Sequence, residues 1–337
     1  MHRVALTLCL LSVVVARLDA ATLYHDPLFG VQTIPDVTYG QGLVQNGASS
    51  ENLLLDVYRP MQVSTPLPAA TPAIVLVHGG GFVSGDKADM APLAEQYASL
   101  GYVVVSIDYR LYADLPPNSS PGPADNFTPP PPGYDSFPDL QLGGNAINAA
   151  VQDAETAMNW LRSNAATYGV DPNRIGIGGA SAGGITAELV GYNDLPAHTT
   201  PNVVLDFLGS MYGTQGVIHA GAPPAFMFHG NADTQVPFDG DLAVSNQLTA
   251  VGVYHEFYEG VGIGHELDTN VFNMQFGNET LLQHNIDFLA NHLVPEPSAF
   301  ALAAMGAALG GLAVDRRRRA RLRRLHVSAP AHLTGRL

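Results

Sequence analysis

Cysteine is almost absent. Cys9 is the only one in 337 residues, and it stands in an apolar stretch at the N-terminus. The rest of the chain therefore has no disulfide, no thiolate nucleophile and no thiolate-held metal to draw on. Positive charge is nearly as scarce. Of 15 Lys and Arg, only Arg59, Lys87, Arg110, Arg162 and Arg174 fall between residues 22 and 294, where 27 acidic residues lie. A net charge of about −22 over that span keeps the body soluble and repels nucleic acid, so a nucleic-acid partner is excluded. What is abundant is apolar: 46% of the residues are hydrophobic, enough for one large α/β domain with terminal additions.

The two ends read as addresses. Met1-His2-Arg3 is a short basic start, Val4–Ala16 is an apolar run, and Asp19-Ala20-Ala21 offers small residues for cleavage. Residues 1–21 are thus expected to be a secretory signal peptide, with no lipobox before Cys9. At the other end, Val294-Pro295-Glu296-Pro297 leads into the apolar run Ser298–Val314, and Arg316 to Arg319 follow. That run is at the short end of a membrane-spanning helix, and the arginines would hold its far end on the cytoplasmic side. Gly306 and Gly310 add a lone GxxxG, a weak helix-pairing signal. The order of these parts over residues 294–319 resembles the PEP-CTERM sorting signal of Gram-negative bacteria. The resemblance implies export, a transient inner-membrane anchor through the 298–314 helix, and an exosortase-type sorting machinery cutting near the triplet, leaving the protein secreted or at the cell surface. The basic tail 320–337 is longer than that family carries.

Between the ends, residues 22–293 are expected to form one catalytic domain. Residues 53–59 look like an early strand. Ala73–Val77, Val103–Asp108 and Arg174–Gly178 are short, wholly apolar or Gly-spaced runs of the kind a strand buried on both faces needs. Ala225–Phe228 and Tyr254–Tyr258 are strand-like as well. Helical spacing marks roughly 88–100, 146–168, 182–192, 239–251 and 279–292. Strands alternating with helices predict an α/β fold with a mostly parallel, doubly wound sheet flanked by helices. One stretch breaks the rhythm: residues 113–145 are rich in proline, including Pro129 to Pro132. A loop this long in a compact domain is functional or disordered, and both readings stay open.

The chemistry concentrates at three places. Gly179-Ala180-Ser181-Ala182-Gly183 is a G-x-S-x-G motif placed between an expected strand and an expected helix, where a sharp turn would expose Ser181. A serine hydroxyl needs a base to take its proton, and the base needs a third group to orient it. Along this fold the order is serine, acid, histidine. Asp233, in His229-Gly230-Asn231-Ala232-Asp233, and His265, in Gly262-Ile263-Gly264-His265, each follow a strand-like run and fit that order. Asp206 and Glu259 are alternatives for the acid, whereas Asp268 is too close to His265 in sequence to orient it. Among the other histidines, His229 is expected to shape the turn before the acid, His255 falls in a strand, and His284 and His292 fall on the last helix. His78-Gly79-Gly80-Gly81 follows the strand ending at Val77 and supplies backbone N–H groups for an oxyanion hole, with Gly79 and Gly80 favoured among the three glycines and Ala182 N–H beside the nucleophile. His78 is expected to buttress that loop.

His78-Gly79-Gly80-Gly81-Phe82, Asp108-Tyr109-Arg110-Leu111, Asp171-Pro172 through Arg174-Ile175, and Gly179-Ala180-Ser181-Ala182-Gly183-Gly184 together resemble the hormone-sensitive-lipase-like carboxylesterases of the α/β-hydrolase fold. They are equally similar to feruloyl and acetylxylan esterases. The resemblance covers roughly residues 50–292. It implies a Ser-Asp-His acyl-enzyme reaction on small or polymer-linked esters, with no cofactor and no metal. It leaves the acyl group open, with acetyl or feruloyl esters on polysaccharide as one substrate class. Residues 210–224, between the expected sixth and seventh core strands, are too short for a large cap. The expanded interval after Arg110 instead suggests a shallow site with any lid drawn from 113–145. A serine peptidase of the prolyl-oligopeptidase type shares the fold, but this chain has Ala182 where that elbow commonly has Tyr, and it lacks a propeller. A non-catalytic exported matrix protein on the same scaffold is the third reading, set against the presence of all three triad residue types.

Overall fold

The computed structural model describes residues 23–118, 140–192, 199–211 and 217–294. The expected signal peptide, the triplet at 295–297, the 298–314 segment, the basic tail and the centre of the Pro-rich insert lie outside these residues. Among the described residues, no helix is long and apolar enough to cross a membrane.

The N-terminal part is an antiparallel pair, β1 (Gly30–Val44) and β2 (Ser49–Met61). The sequence reading gave β2 only as residues 53–59 and did not find β1. The reason is local. β1 is polar and largely solvent-facing, carries Pro35, and is interrupted by register shifts at Ile34/Val37 and Thr38/Gly40, with Asp36 at φ 55°. Such bulges destroy the period of two that marks a strand.

From there the chain alternates. β3 (Thr71–Val77) is buried throughout and leads, through a capped 3-10 turn, to α1 (Ala91–Leu100) and β4 (Val103–Ile107). Asp86 starts that turn: its carboxylate accepts from Ala88 N (2.7 Å), and Asp89 accepts from Asp86 N (3.0 Å), a reciprocal cap. α2 (Leu140–Ser163) and the short α3 (Ala165–Tyr168) precede β5 (Val170–Ala180). α4 (Ala182–Tyr192), β6 (Val204–Phe207), β7 (Ala225–Gly230), α5 (Phe238–Val251) and β8 (His255–Gly260) follow. A single turn, α6 (Thr269–Phe272), a two-residue hairpin and α7 (Leu281–His292) end the described chain.

α2 differs from its expected start at residue 146. It begins at Leu140, so the last part of the span assigned to the Pro-rich insert is helical. Gly143 and Gly144 in that turn are poor helix formers and hide its period.

The eight strands pair in the order β1-β2-β4-β3-β5-β6-β7-β8. β2 is antiparallel to β4, and every pair from β4 to β8 is parallel. Alternate residues of β3 serve opposite faces. Ala73, Val75 and Val77 pack with α2, α4 and α5 residues such as Met158, Leu189 and Val244. Ile74 and Leu76 pack with α1 and α7 residues such as Tyr97 and Phe288. This is an α/β-hydrolase fold, with a sheet buried on both sides because helices cover both. Order reverses around β3, and in such sheets the crevice at the carboxyl ends of the strands is where ligands sit.

One buried ion pair fixes the chain as it leaves that edge. Arg110 follows β4 and grips Asp153 of α2 through Nη2–Oδ1 (2.7 Å) and Nε–Oδ2 (3.0 Å), while its own N–H donates to Oδ2 (2.9 Å). Bidentate geometry with a third donor gives this pair the satisfaction a buried charge requires. It anchors the start of the Pro-rich segment to the domain.

Candidate active site

The turn at Ser181 follows from two close approaches. A side chain on Gly183 would run into the carbonyl oxygen of Val77, and one on Gly179 would run into the carbonyl of Gly183. With hydrogen at both positions, the end of β5 and the start of α4 can lie against the end of β3. The cost of the sharp reversal falls on Ser181, which has φ 55°. A non-glycine residue in this region is strained, by about 1–3 kcal/mol, and holds there only when its surroundings over-determine it. They do so here: Ser181 N donates to Phe207 O (2.8 Å), and Ser181 O accepts from Ile185 N (2.9 Å) as the first bond of α4. Because the Ser181 amide is spent on Phe207, the next free amide at the helix start is that of Ala182.

The acid and the histidine come from neighbouring strand ends whose loops are laced together. Asn231 N donates to Gly260 O (2.9 Å), and Ala232 N donates to Ile263 O (2.9 Å). The Asn231 side chain donates to Glu259 (2.7 Å) and accepts from Gly262 N (2.7 Å). This brings Asp233 and His265 to one place. His265 Nδ1 donates to Asp233 Oδ2 (2.6 Å), and Ser181 Oγ donates to His265 Nε2 (2.7 Å). Asp233 Oδ1 accepts from Gln235 N (2.7 Å) and Val236 N (3.0 Å), so the carboxylate cannot swing away. Its side chain is 0% exposed, against 13% for His265. The proton on His265 is therefore held at Nδ1, which leaves Nε2 as an acceptor facing the serine hydroxyl.

The glycine loop after β3 is held by two side chains. His78 Nδ1 donates to Gly79 O (2.7 Å), and Tyr109 Oη donates to His78 O (3.2 Å) and Gly79 O (3.4 Å). The Tyr109 ring stacks on His78 at 4.3 Å. Each trans peptide points its N–H opposite to its C=O. Fixing the carbonyls of His78 and Gly79 toward Tyr109 therefore turns the amides of Gly79 and Gly80 away from it. Gly79 lies against Ala180 and Ser181, since an added Cβ would be 3.3 Å from Ser181 Cβ. Among the described residues, the amides of Gly79, Gly80 and Ala182 donate to no backbone carbonyl outside regular helix and sheet bonding. Burial pushes the His78 imidazole below its ordinary value, which suits a neutral buttress.

The other residues weighed from sequence stand elsewhere. Asp206 is buried in β6 and makes no bond to His265; its carboxyl faces Asp241 of α5 and Glu188 of α4. Glu259 accepts from Asn231 on the outside of the loop pair. Asp268 caps α6 by accepting from Asn270 N (2.8 Å) and Val271 N (3.0 Å). His255 meets Ser245, His284 Nε2 donates to Phe276 O, and His292 packs on Tyr254. Sequence reasoning gave no role to Tyr109 and missed Asp241. The adjacency of Tyr109 to Arg110 in a quoted motif was the one available signal for the former.

The chain matches the BD-FAE family model over residues 55–119 and 142–204. It is 30% identical over 164 residues to carboxylesterase patB of Penicillium expansum, covering 44% of this chain and 26% of that protein. It is 26% identical over 206 residues to a chlorogenic acid esterase of Aspergillus niger, covering 53% of this chain and 35% of that one. The chain thus spans about a third or less of the length of these curated relatives. Among solved structures, it is similar to Thermogutta terrifontis esterase 2 phosphoramylated by tabun, at a TM-score of 0.55 and 25% identity, covering 80% of this chain and 98% of that one.

Proposed function

We propose that this chain is a carboxylic ester hydrolase in which Ser181 is the nucleophile, His265 the general base and acid, and Asp233 the group that orients His265. One observation carries the reading: a strained serine at a strand-to-helix turn, 2.7 Å from an imidazole whose other nitrogen is 2.6 Å from a buried carboxylate. Esterase relatives and an esterase of similar fold support the reaction class.

In this scheme Ser181 Oγ attacks the ester carbonyl carbon as its proton passes to His265 Nε2. The negative charge moves to the carbonyl oxygen, which the amides of Gly79, Gly80 and Ala182 receive. Each such donor contributes roughly 3–4 kcal/mol to the transition state. The tetrahedral intermediate collapses as His265 gives its proton to the leaving alkoxide, and the alcohol departs. Water then gives a proton to His265 and attacks the acyl carbon. The Ser181 oxygen leaves with that proton, and the acid is released. Asp233 keeps the Nδ1–H tautomer and stabilises the imidazolium in both halves.

Acetyl or feruloyl esters carried on polysaccharide are the proposed substrate class. The name of the Aspergillus relative supports placing an aromatic-acid ester beside an acetyl one in the test. Purified protein is expected to hydrolyse p-nitrophenyl acetate and at least one acetylated or feruloylated polysaccharide, and to leave a Pro-linked peptide anilide intact. Turnover of the anilide with inert esters would make it a peptidase, and inertness toward all of them would favour the non-catalytic scaffold.

Export is the second part of the proposal, carried by the basic-apolar start and by the Pro-Glu-Pro, apolar and Arg order of residues 295–319. Mass spectrometry of protein recovered outside the inner membrane is expected to give no peptides before about residue 22 or beyond about residue 298. Abundant tail peptides on that form would contradict processing there.

A further inference from the structure

Asp233 faces two imidazoles, and the triad uses only one. Its Oδ2 lies 2.6 Å from His265 Nδ1 and 3.2 Å from His229 Nε2. His229 stands at the end of β7 and is fully buried. Its Nε2 is 2.8 Å from Val236 O. A carbonyl only accepts, so Nε2 carries a proton, and the positive end of that N–H also faces the Asp233 carboxylate. Val236 N in turn donates to Asp233 Oδ1. His229 thus grips the turn 233–236 from behind while that turn grips the acid.

The other edge of the ring is fixed as firmly. His229 Nδ1 lies 2.7 Å from Asp241 Oδ2 at the start of α5, and Phe238 meets the ring edge-on at 6.0 Å. Beyond Asp241 come Asp206 from β6 and Glu188 from α4, with carboxyl oxygens of all three within 4.8 Å of one another. Burial first, and the neighbouring carboxyls second, push all three well above the usual carboxylate range. Three carboxyls this close cannot all ionise, so the cluster keeps protons that isolated acids would release. His229 Nδ1 and Asp241 Oδ2 share a hydrogen bond across 2.7 Å, and the Nε2–H is aimed at Val236 O and Asp233.

We propose that His229, held in place by Asp241, is a positioning residue that sets the Asp233 carboxylate against His265 and thereby tunes the basicity of His265. The inference rests on the Ser181–His265–Asp233 reading above. Its sign follows from electrostatics. Without the His229 N–H beside Oδ2, the Asp233 carboxylate is less stabilised and binds the His265 imidazolium more strongly. The acid limb of the rate profile, where His265 loses its proton, then moves to higher pH.

Two variants separate positioning from bulk. The Gln amide nitrogen in His229→Gln reaches the place of Nε2, while the shorter Asn side chain in His229→Asn reaches only the place of Nδ1. For p-nitrophenyl acetate, His229→Asn is expected to lower kcat roughly tenfold with KM within about twofold. It should also move the acid limb of kcat/KM up by about half a pH unit. His229→Gln should stay within about threefold of the parent with an unmoved limb. A folded His229→Asn with parental kcat and limb overturns the proposal, and so do equal losses in both variants with unmoved limbs and lowered Tm. Ser181→Ala, run alongside, separates the two readings. If it stays active, the triad reading fails and this proposal falls with it. If it is inactive while His229→Asn is parental, only this proposal falls. Should the variants not fold, 15N-imidazole spectra of the parent enzyme before and after organophosphate modification of Ser181 decide. The modification replaces the Ser181 hydroxyl that meets His265 Nε2, so the change should reach Asp233 and shift the His229 Nε2–H resonance, and an unmoved resonance overturns the coupling.

Discussion

Ser181→Ala is expected to lower kcat/KM for p-nitrophenyl acetate by at least about a thousandfold while leaving the fold intact. The substitution removes one oxygen from a half-exposed position, so it opens no core cavity. Backbone strain at φ 55° is shared by serine and alanine, and the bonds from Ser181 N to Phe207 O and from Ile185 N to Ser181 O are main-chain and survive. What is lost is the atom proposed to form the acyl bond. The amides of Gly79, Gly80 and Ala182 remain, and a water held by His265 could attack directly, so a residual rate above background is consistent with the mechanism. The check is steady-state kinetics with circular dichroism on the same preparation. Turnover within tenfold of the parent in a clean preparation would move the nucleophile elsewhere.

Asp233→Asn is expected to cost kcat roughly ten-thousandfold, with Asp206→Asn, Glu259→Gln and Asp268→Asn each far milder. The asparagine keeps the shape but changes the role. Asp233 Oδ1 accepts from Gln235 N and Val236 N, so the amide oxygen takes that place and its NH2 group turns toward His265. His265 Nδ1 would then have to accept. Its proton moves to Nε2, which can no longer take the Ser181 proton. The other acids lack this contact: Asp206 is enclosed with Asp241 and Glu188, Glu259 holds Asn231, and Asp268 caps α6. Kinetics on the four variants rank them, and a larger loss in Asp206→Asn than in Asp233→Asn would reassign the acid.

The glycine loop, Ser181 and Asp233 were legible as site candidates because each follows a short apolar run that reads as a buried strand, whereas His265 follows the polar, half-buried β8 and was picked out by the serine, acid, histidine order. Val75 to Val77, Ile175 to Gly178 and Phe226 to Phe228 announce the strands, and the fold then dictates which residues reach the crevice. β1 escaped because Pro35 and Asp36 break its alternation, and because an edge strand facing solvent needs no apolar face. The early start of α2 at Leu140 escaped because Gly143 and Gly144 hold back its period. Asp206 was an alternative acid, since it too falls between Ser181 and His265 along the chain. Only packing reveals that its carboxyl lies under Gly184 and Gly209, turned toward α4 and α5. Tyr109 was omitted, and His229 was expected only to shape the turn before Asp233, without its contact to the Asp233 carboxylate. Their contacts run through a peptide plane in one case and a shared carboxylate oxygen in the other, and residue order shows only their places beside Arg110 and in the turn before Asp233.

Peptide mapping after inactivation by paraoxon tests the central claim most directly. On the proposed reading, the arrangement of Ser181, His265 and Asp233 makes the Ser181 hydroxyl the nucleophile. Inactivation should therefore follow a single course and place one diethylphosphoryl group on the peptide containing Ser181. Loss of activity with the adduct on another residue, or a fully active enzyme with Ser181 phosphorylated, would contradict it.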